Sequence, residues 1–310
     1  MNLTRRAFLK QTAATAVTVS LLPSLTRAES VENAAPRPKM AVLGNLPDAK
    51  AIEHMQTLGI QGMEIMGNPT LEQARAARKL ADAAGFRFHS LMSGGSPERL
   101  ELAAELGADA VLFVPGRIGG VKMPEPWEFK IRFDEKTNRL LEVVEGDNTP
   151  YADYIKAHNE DMERARARVE ALIPTAEKLR LVIGLENVWN NMWVHPQFAA
   201  NFVLSFGVPR VQAYFDCGNH VKYWPRPQDW FDAFQGHIVR VHIKDFKLNA
   251  DGHGGHFARV MEGSVDWLAI RDKMREWNYD RWITVELEGC PLTLEEQADR
   301  MKRILDGRPL

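Results

Sequence analysis

The chain has 310 residues, of which 45% are hydrophobic and 26% are charged, with a formal net charge of −2. This length suits one barrel domain of roughly 250 residues better than two small domains. The composition is ordinary for a globular protein, and the charge argues against a polyanionic partner such as nucleic acid.

The first 28 residues are predicted to be a targeting segment outside the fold. A twin arginine lies in the stretch Thr4–Lys10, an apolar run extends from Ala13 to Leu25, and Ala28 offers a small residue for cleavage. This is the pattern of a twin-arginine signal peptide, and its apolar run is shorter than the roughly 20 residues that a membrane span needs. We therefore expect export by the twin-arginine route to the periplasm or cell envelope, without a stable membrane anchor.

Removal of residues 1–28 would make the chain more acidic. This segment holds four basic residues and no acidic residue, which leaves 35 basic and 41 acidic residues and a net charge of −6. Residues 29–38 are predicted to be a linker, and residues 39–310 to form the barrel. Export of an already folded protein favours a cofactor that is loaded beforehand.

Short apolar runs alternate with amphipathic stretches along the rest of the chain. The eight predicted strands are Lys39–Leu46, Gly62–Met66, Arg87–Met92, Ala110–Pro115, Leu181–Val188, Val211–Cys217, Val239–Phe246 and Ile283–Glu288. The six predicted helices are Leu71–Ala84, Pro97–Leu106, Tyr154–Leu179, Pro227–Phe234, Trp267–Trp277 and Leu294–Leu305. Alternating strands and helices predict a parallel sheet, and eight such units predict its closure into an α/β fold of the (β/α)8 TIM barrel type.

Residues 116–153 interrupt this alternation after the fourth predicted strand. They begin with glycines, continue through Pro124, Pro126 and Trp127, and then become charged with little periodicity. A long loop without regular structure in a compact domain is usually functional or disordered. The aromatic residues favour either a loop that covers the substrate or a dimer contact.

Four consecutive predicted strands carry an ionisable residue at or near their carboxyl ends, where a β/α barrel forms its active site. These residues are Glu186, Asp216, His242 and Glu286. Charges in strands this apolar are costly unless they are paired or bound to a cation. Three carboxylates and one imidazole on one rim predict a single divalent metal ion, either Mn²⁺, Co²⁺, Mg²⁺ or Zn²⁺.

Five sequence motifs indicate a family, and all five lie between residues 184 and 289. They are Leu185–Asn190, Phe215–Asn219, Val241–Phe246, Glu262–Trp267 and Tyr279–Glu286. With these motifs the chain resembles the sugar phosphate isomerase/epimerase family, the xylose isomerase-like TIM barrels, over essentially all of the sequence beyond the signal.

The resemblance implies that Glu186, Asp216, His242 and Glu286 bind the metal ion. It also implies that Glu186 and Glu286 are the catalytic pair, which lie on opposite faces of the substrate and move a proton through an enediolate. Glu288 is a rival to Glu286 as ligand, because strand alternation puts both on one face.

Further residues near the same rim are candidates for binding the substrate. Lys244 follows His242 by two residues and could steady a developing oxyanion. The other candidates for the substrate-binding set are Glu64, His89, Asn187, Asn219, His220 and Glu262. Asn219 stands where the related ketose epimerases have a substrate-contacting histidine, which weakens the case for epimerisation of a free ketose at C3.

Two enzymatic functions fit this pattern. The first is a metal-dependent sugar isomerase or epimerase that abstracts the proton beside a carbonyl of a small carbohydrate. The second is an exported lyase that cleaves 3-keto-glycosides by β-elimination. An abasic-site endonuclease and a non-catalytic sugar-binding barrel are weaker alternatives, because the chain is acidic and its ligand set is intact. The sequence leaves open whether the protein forms a homodimer.

Overall fold

The computed structural model describes residues 37–223 and 226–310. The predicted signal peptide at 1–28 and most of the predicted linker at 29–38 lie outside the described residues. All of the predicted site residues lie within them.

Eight parallel strands form a closed barrel. They are β1 (Lys39–Gly44), β2 (Gly62–Ile65), β3 (Arg87–Leu91), β4 (Ala110–Phe113), β7 (Val182–Glu186), β8 (Val211–Asp216), β9 (Ile238–Ile243) and β12 (Trp282–Val285). Each strand pairs with the next of this set along the chain, and β12 closes the barrel by pairing with β1. The predicted fold class, a (β/α)8 TIM barrel, is confirmed.

One α-helix follows each barrel strand. The helices are α1 (Ala49–Thr57), α2 (Leu71–Ala83), α3 (Pro97–Leu106), α4 (Ala152–Leu179), α5 (Pro196–Leu204), α6 (Pro227–Phe234), α7 (Trp267–Glu276) and α8 (Leu294–Asp306). Local sequence signals fix several helix starts: Thr70 and Thr293 form capping boxes with Gln73 and Glu296, which satisfy free backbone N–H groups. No described helix is both long and apolar enough to cross a membrane.

The helices α1 and α5 are absent from the sequence prediction. In α5 most side chains are buried, including Phe198 and Phe202. A helix that is apolar nearly all round lacks the alternation of faces by which sequence reasoning detects helices. In α1 only Ile52 and Met55 are buried among nine residues, so its periodic signal is short.

Two β-hairpins extend from the carboxyl-end face of the barrel. The predicted insertion at 116–153 is not a plain loop, because it contains β5 (Arg132–Asp134) paired with β6 (Arg139–Glu142). The second hairpin pairs β10 (Asp245–Leu248) with β11 (Gly255–Ala258). The seventh predicted strand, Val239–Phe246, is therefore wrong in its last part, because the chain leaves the barrel at Lys244.

Asp245 explains why the chain turns there. Its buried carboxylate accepts hydrogen bonds from the backbone N–H groups of Phe246, Met261, Gly263 and Val265, at 2.9–3.2 Å. A side chain that collects so many backbone donors fixes the loop that carries β10 and β11. It thereby shapes the barrel mouth directly beyond His242.

Candidate metal centre

Four neighbouring strands bring the four predicted ligands together. Glu186 and Asp216 are the last residues of β7 and β8, His242 is the register partner of Asp216 on β9, and Glu286 directly follows β12. One ligand atom from each side chain lies within 4.8 Å of the others. Since β7, β8, β9 and β12 are adjacent in the barrel, the four side chains form one row along the rim.

The atoms that face the centre of this cluster lack hydrogen-bond partners among the described residues. They are Asp216 Oδ2, His242 Nδ1 and Glu286 Oε2, all buried from solvent. His242 Nδ1 lies 2.9 Å from Glu286 Oε2, 3.5 Å from Glu186 Oε1 and 3.9 Å from Asp216 Oδ2, without hydrogen-bond geometry. A buried polar atom without a partner costs about 1–3 kcal/mol. One divalent cation at their centre would satisfy them all, so the cluster fits a metal ion.

The structure distinguishes Glu286 from its rival Glu288. The Glu286 carboxylate is 13% exposed and belongs to the cluster, whereas the Glu288 side chain is 57% exposed and lies outside it. The strand ends at Val285, so the alternation that would place both glutamates on one face no longer holds beyond it.

Glu64 holds the imidazole of His242 from the other side. His242 Nε2 donates to Glu64 Oε2 at 2.7 Å, and the Tyr214 hydroxyl donates to the same oxygen at 2.6 Å. With Nε2 engaged by Glu64, the imidazole would present the Nδ1 lone pair to a cation bound in the cluster, as a metal ligand must. Glu64 is fully buried and bound to protein donors, and its predicted contact with substrate hydroxyls stays a prediction.

Charge within the cluster sets the protonation of its members in the metal-free protein. Burial raises the pKa of Glu186, and it raises that of Asp216 to about 7, against the opposing charge of Lys244. Burial also acts on Glu286, but the positive charges of His242 and Lys244 outweigh it and lower the Glu286 pKa. In the metal-free protein the pKa values of the two glutamates are therefore shifted in opposite directions, upward for Glu186 and downward for Glu286.

Lys244 lies beside the cluster as predicted from its spacing. Its ammonium group is 3.2 Å from Glu286 Oε2, 3.8 Å from Asp216 Oδ2 and 3.7 Å from Glu288 Oε2. Burial opposes its charge, yet these carboxylates raise the pKa of Lys244. It is a permanent cation at the edge of the site.

Asn187 and Asn219 hold Asp216 in place. The backbone N–H of Asp216 donates to Asn187 Oδ1 at 2.7 Å, and Asp216 Oδ1 accepts from the N–H groups of Gly218 and Asn219 at 2.8 and 2.6 Å. One carboxylate oxygen of Asp216 is thus anchored while the other faces the cluster. Both asparagines are buried and contact Asp216, and their substrate-binding role stays a prediction.

Three other predicted substrate contacts lie away from the cluster. His220 is buried against the rings of Trp230 and Tyr223, and burial lowers its pKa to about 3. Glu262 pairs with Arg300 of α8 at 2.7 Å. His89 lies deeper in the barrel, where Arg240 Nε donates to its Nδ1 at 3.0 Å. His89 and His220 are buried among protein groups, whereas the Glu262 side chain is 42% exposed beside Arg300. The substrate contacts assigned to these three residues stay predictions.

Sequence reasoning missed Tyr214 as a functional residue. It precedes Asp216 by two residues on β8, so strand alternation directs both side chains to the barrel interior. This alternation is the sequence signal that could have identified Tyr214 as a residue near the site. The sequence does not show that its partner would be Glu64, because the two residues are 150 positions apart.

Comparison with known proteins agrees with this architecture. The family model described as xylose isomerase-like TIM barrel matches residues 52–304. Inosose dehydratase of Lacticaseibacillus casei is 28% identical over 113 residues, which cover 32% of this chain and 38% of that protein. The match thus spans well under half the length of this curated relative.

Two solved structures illustrate the likeness of fold. The 3-keto-D-glucoside 4-epimerase from E. coli is 12% identical with a TM-score of 0.62, covering 86% of this chain and 99% of that chain. A xylose isomerase-like TIM barrel protein from Mycobacterium smegmatis in complex with magnesium is 17% identical with a TM-score of 0.56, covering 87% and 96%. The family model extends over most of the chain, and the chain belongs to the xylose isomerase-like TIM barrel family.

Proposed function

We propose that this protein is a metal-dependent isomerase or epimerase of a small carbohydrate, which moves a proton on the carbon beside a carbonyl group. The observation that carries this proposal is the placement of Glu186 and Glu286 at the two ends of the row of ligand strands. Asp216 and His242 lie between them. A substrate held at the centre of the row would have one carboxylate on each side.

This arrangement suits proton transfer in two directions. A divalent ion at the cluster would polarise the carbonyl and stabilise negative charge on its oxygen. Glu186 and Glu286 would then serve as base and acid on the two sides of the substrate carbon. Lys244, 3.2 Å from Glu286, stabilises the ionised form of that carboxylate.

A second candidate is a lyase that uses the same proton abstraction and then expels a group from the next carbon. One comparison supports it, because the curated relative is named a dehydratase. The lyase reaction that we propose as the alternative is the cleavage of a 3-keto-glycoside by β-elimination. The carboxylates can perform the first step of either reaction.

The test uses the metal-stripped protein reloaded with Mn²⁺ or Co²⁺ and incubated in D₂O with free ketoses and 3-keto-glucosides. NMR spectroscopy would follow deuterium entry beside the carbonyl and release of the second group. Deuterium in an intact or epimerised sugar would support the isomerase, whereas release of the aglycone would support the lyase. The absence of metal-dependent exchange with every substrate would contradict both.

Variants of the glutamates make this test specific. We expect Glu186→Gln and Glu286→Gln to reduce exchange by at least about 100-fold, the range typical for a general acid or base. The matched control is Glu288→Gln, an exposed glutamate outside the cluster, which should retain most of the exchange. A non-catalytic sugar-binding barrel would bind sugars without exchange in any of these proteins.

The proposal includes export by the twin-arginine route to the periplasm or cell envelope. It is supported by the sequence pattern of residues 1–28. Replacement of Arg5 and Arg6 by lysine should retain the protein in the cytoplasm. Unchanged fractionation of that double variant would contradict this route.

A further inference from the structure

Lys222 is a half-buried lysine in the turn that follows β8, at the barrel mouth. Its Nζ lies 3.5 Å from the centre of the Trp189 ring and 4.9 Å from that of Tyr223. Among the residues described by the structure, no carboxylate oxygen comes within 4.0 Å of this ammonium group. Burial lowers the pKa of Lys222 to about 8, whereas the shifts found for Lys244 and Lys273 are upward.

Three of the more deeply buried cations among the described residues have an acidic partner. Arg240 is paired with Asp109, Arg300 with Glu262, and Lys244 with Glu286. A cation removed from water without a counter-charge is costly, and aromatic rings offset only about 0.5–2 kcal/mol of that cost. An anionic group of a ligand would give Lys222 the counter-charge that the described residues do not supply.

An aromatic column connects Lys222 with the metal centre. Trp189 follows the ligand Glu186 by three residues, and its ring stacks on Phe257 with the centres 4.7 Å apart. The Phe257 ring in turn lies 5.0 Å from Nζ of Lys244, which is itself 3.2 Å from Glu286 Oε2. These contacts form a continuous path at the barrel mouth from Lys222 to the carboxylate of Glu286.

We propose that Lys222 binds an anionic group on the part of the substrate remote from its reacting carbonyl. The substrate class is then an acidic carbohydrate, bearing a carboxylate, a sulfate or a phosphate. This inference rests on the proposed function, because it takes the cluster as the place where the carbonyl binds. Trp189 contributes by holding the lysine side chain over its ring.

The test is a binding measurement that needs no turnover. Metal-loaded protein would be titrated by calorimetry with D-glucuronate, D-glucose 6-sulfate and D-glucose 6-phosphate, with D-glucose as the neutral reference. We expect at least one of the three anions to bind more tightly than glucose. Lys222→Gln should weaken its binding about fivefold to tenfold, the scale of a partly exposed ion pair, and leave glucose unaffected.

Two further variants separate a charge effect from a structural one. Lys222→Arg keeps the charge and should retain the preference for the anion, and the exposed Lys247→Gln should behave as wild type. The proposal is overturned if no anion is preferred, if Lys222→Gln binds the anions as well as wild type does, or if it weakens glucose equally. Loss of deuterium exchange with an intact anion preference would overturn the proposed function and leave this site standing.

Discussion

Two buried histidines on different strands of the barrel, β9 and β3, have opposite surroundings. His242, near the carboxyl end of β9, directs its Nδ1 at three carboxylates without a hydrogen bond. His89, on β3, has both ring nitrogens engaged, with Arg240 Nε at 3.0 Å and with Thr284 Oγ1 at 3.1 Å. Its ring also stacks on Trp282.

The pKa values of the two histidines are shifted in opposite directions. Burial would lower both, and the charge of Arg240 adds to this for His89, whose pKa falls well below its usual value. At His242 the carboxylates of Glu64 and Glu286 outweigh burial and raise the pKa. A buried polar cluster with all partners present serves stability, whereas one with unpartnered atoms converging on a point is arranged for a ligand.

The largest effect should come from Asp216→Ala, which removes an anchored ligand oxygen. We expect the affinity for Mn²⁺ to fall by more than about 100-fold, beyond the loss typical of a residue that only supports a ligand. The metal-free protein should lose little stability, because repulsion among the remaining carboxylates decreases. Calorimetric titration and thermal unfolding would measure the two quantities. Metal affinity equal to that of the exposed-site control Asp229→Ala would contradict the assignment.

Glu64→Gln should have the next largest effect, since it weakens the acceptor that fixes the His242 ring. Loss of such a supporting carboxylate typically lowers metal affinity about 10-fold to 100-fold. Tyr214→Phe, which removes a neighbouring donor to the same oxygen, is the matched comparison and should cost less. Equal affinities in wild type and Glu64→Gln would show that the imidazole is held by other contacts.

The hydrogen-bonded pair of His89 and Arg240 should respond in the opposite manner, with a loss of stability and no loss of metal affinity. His89→Leu deprives the buried Arg240 guanidinium of an acceptor, which should lower the free energy of unfolding by about 2–3 kcal/mol and leave metal affinity unchanged. His54→Leu, at an exposed histidine, should cost less than about 1 kcal/mol. A tenfold loss of metal affinity in His89→Leu would remove the distinction between the two clusters.

The smallest expected effect concerns acid stability. The folded-state pKa of His89 lies below the unfolded value of about 6.5, so its stabilising contribution is complete above that pH and is lost as the pH falls. Below about pH 6.5 the unfolded chain binds one proton more at this residue, a slope of up to about 1.4 kcal/mol per pH unit. Denaturant unfolding of His89→Leu should show the shallower dependence. Parallel curves for the two proteins would contradict a neutral His89.

Sequence alone predicted the barrel because buried parallel strands are nearly continuous apolar runs. It also located the four candidate ligands, because ionisable residues at strand ends are out of place in such runs. It could not show whether Glu64 and His89 lie at the rim or below it. The alternation of side chains predicts which face of a strand a residue occupies, but not how deep in the barrel the residue lies. The contacts that decide their roles join Glu64 to His242 and His89 to Arg240, 178 and 151 positions apart.

The break between β9 and β10 shows another limit. Residues Val239–Phe246 are apolar enough for a single strand, yet the backbone leaves the barrel because the Asp245 side chain collects distant N–H groups. Those donors lie 16 to 20 positions further along the chain, so the local sequence holds no sign of them.

The central claim is that one divalent ion binds between Glu186, Asp216, His242 and Glu286. The most direct measurement is the anomalous difference map of a crystal of the protein loaded with Mn²⁺. We predict one strong peak per chain, about 2.0–2.3 Å from His242 Nδ1 and from one oxygen of each carboxylate. Absence of a peak at this position in a crystal that contains Mn²⁺, or a sole peak bound by other residues, would contradict the claim.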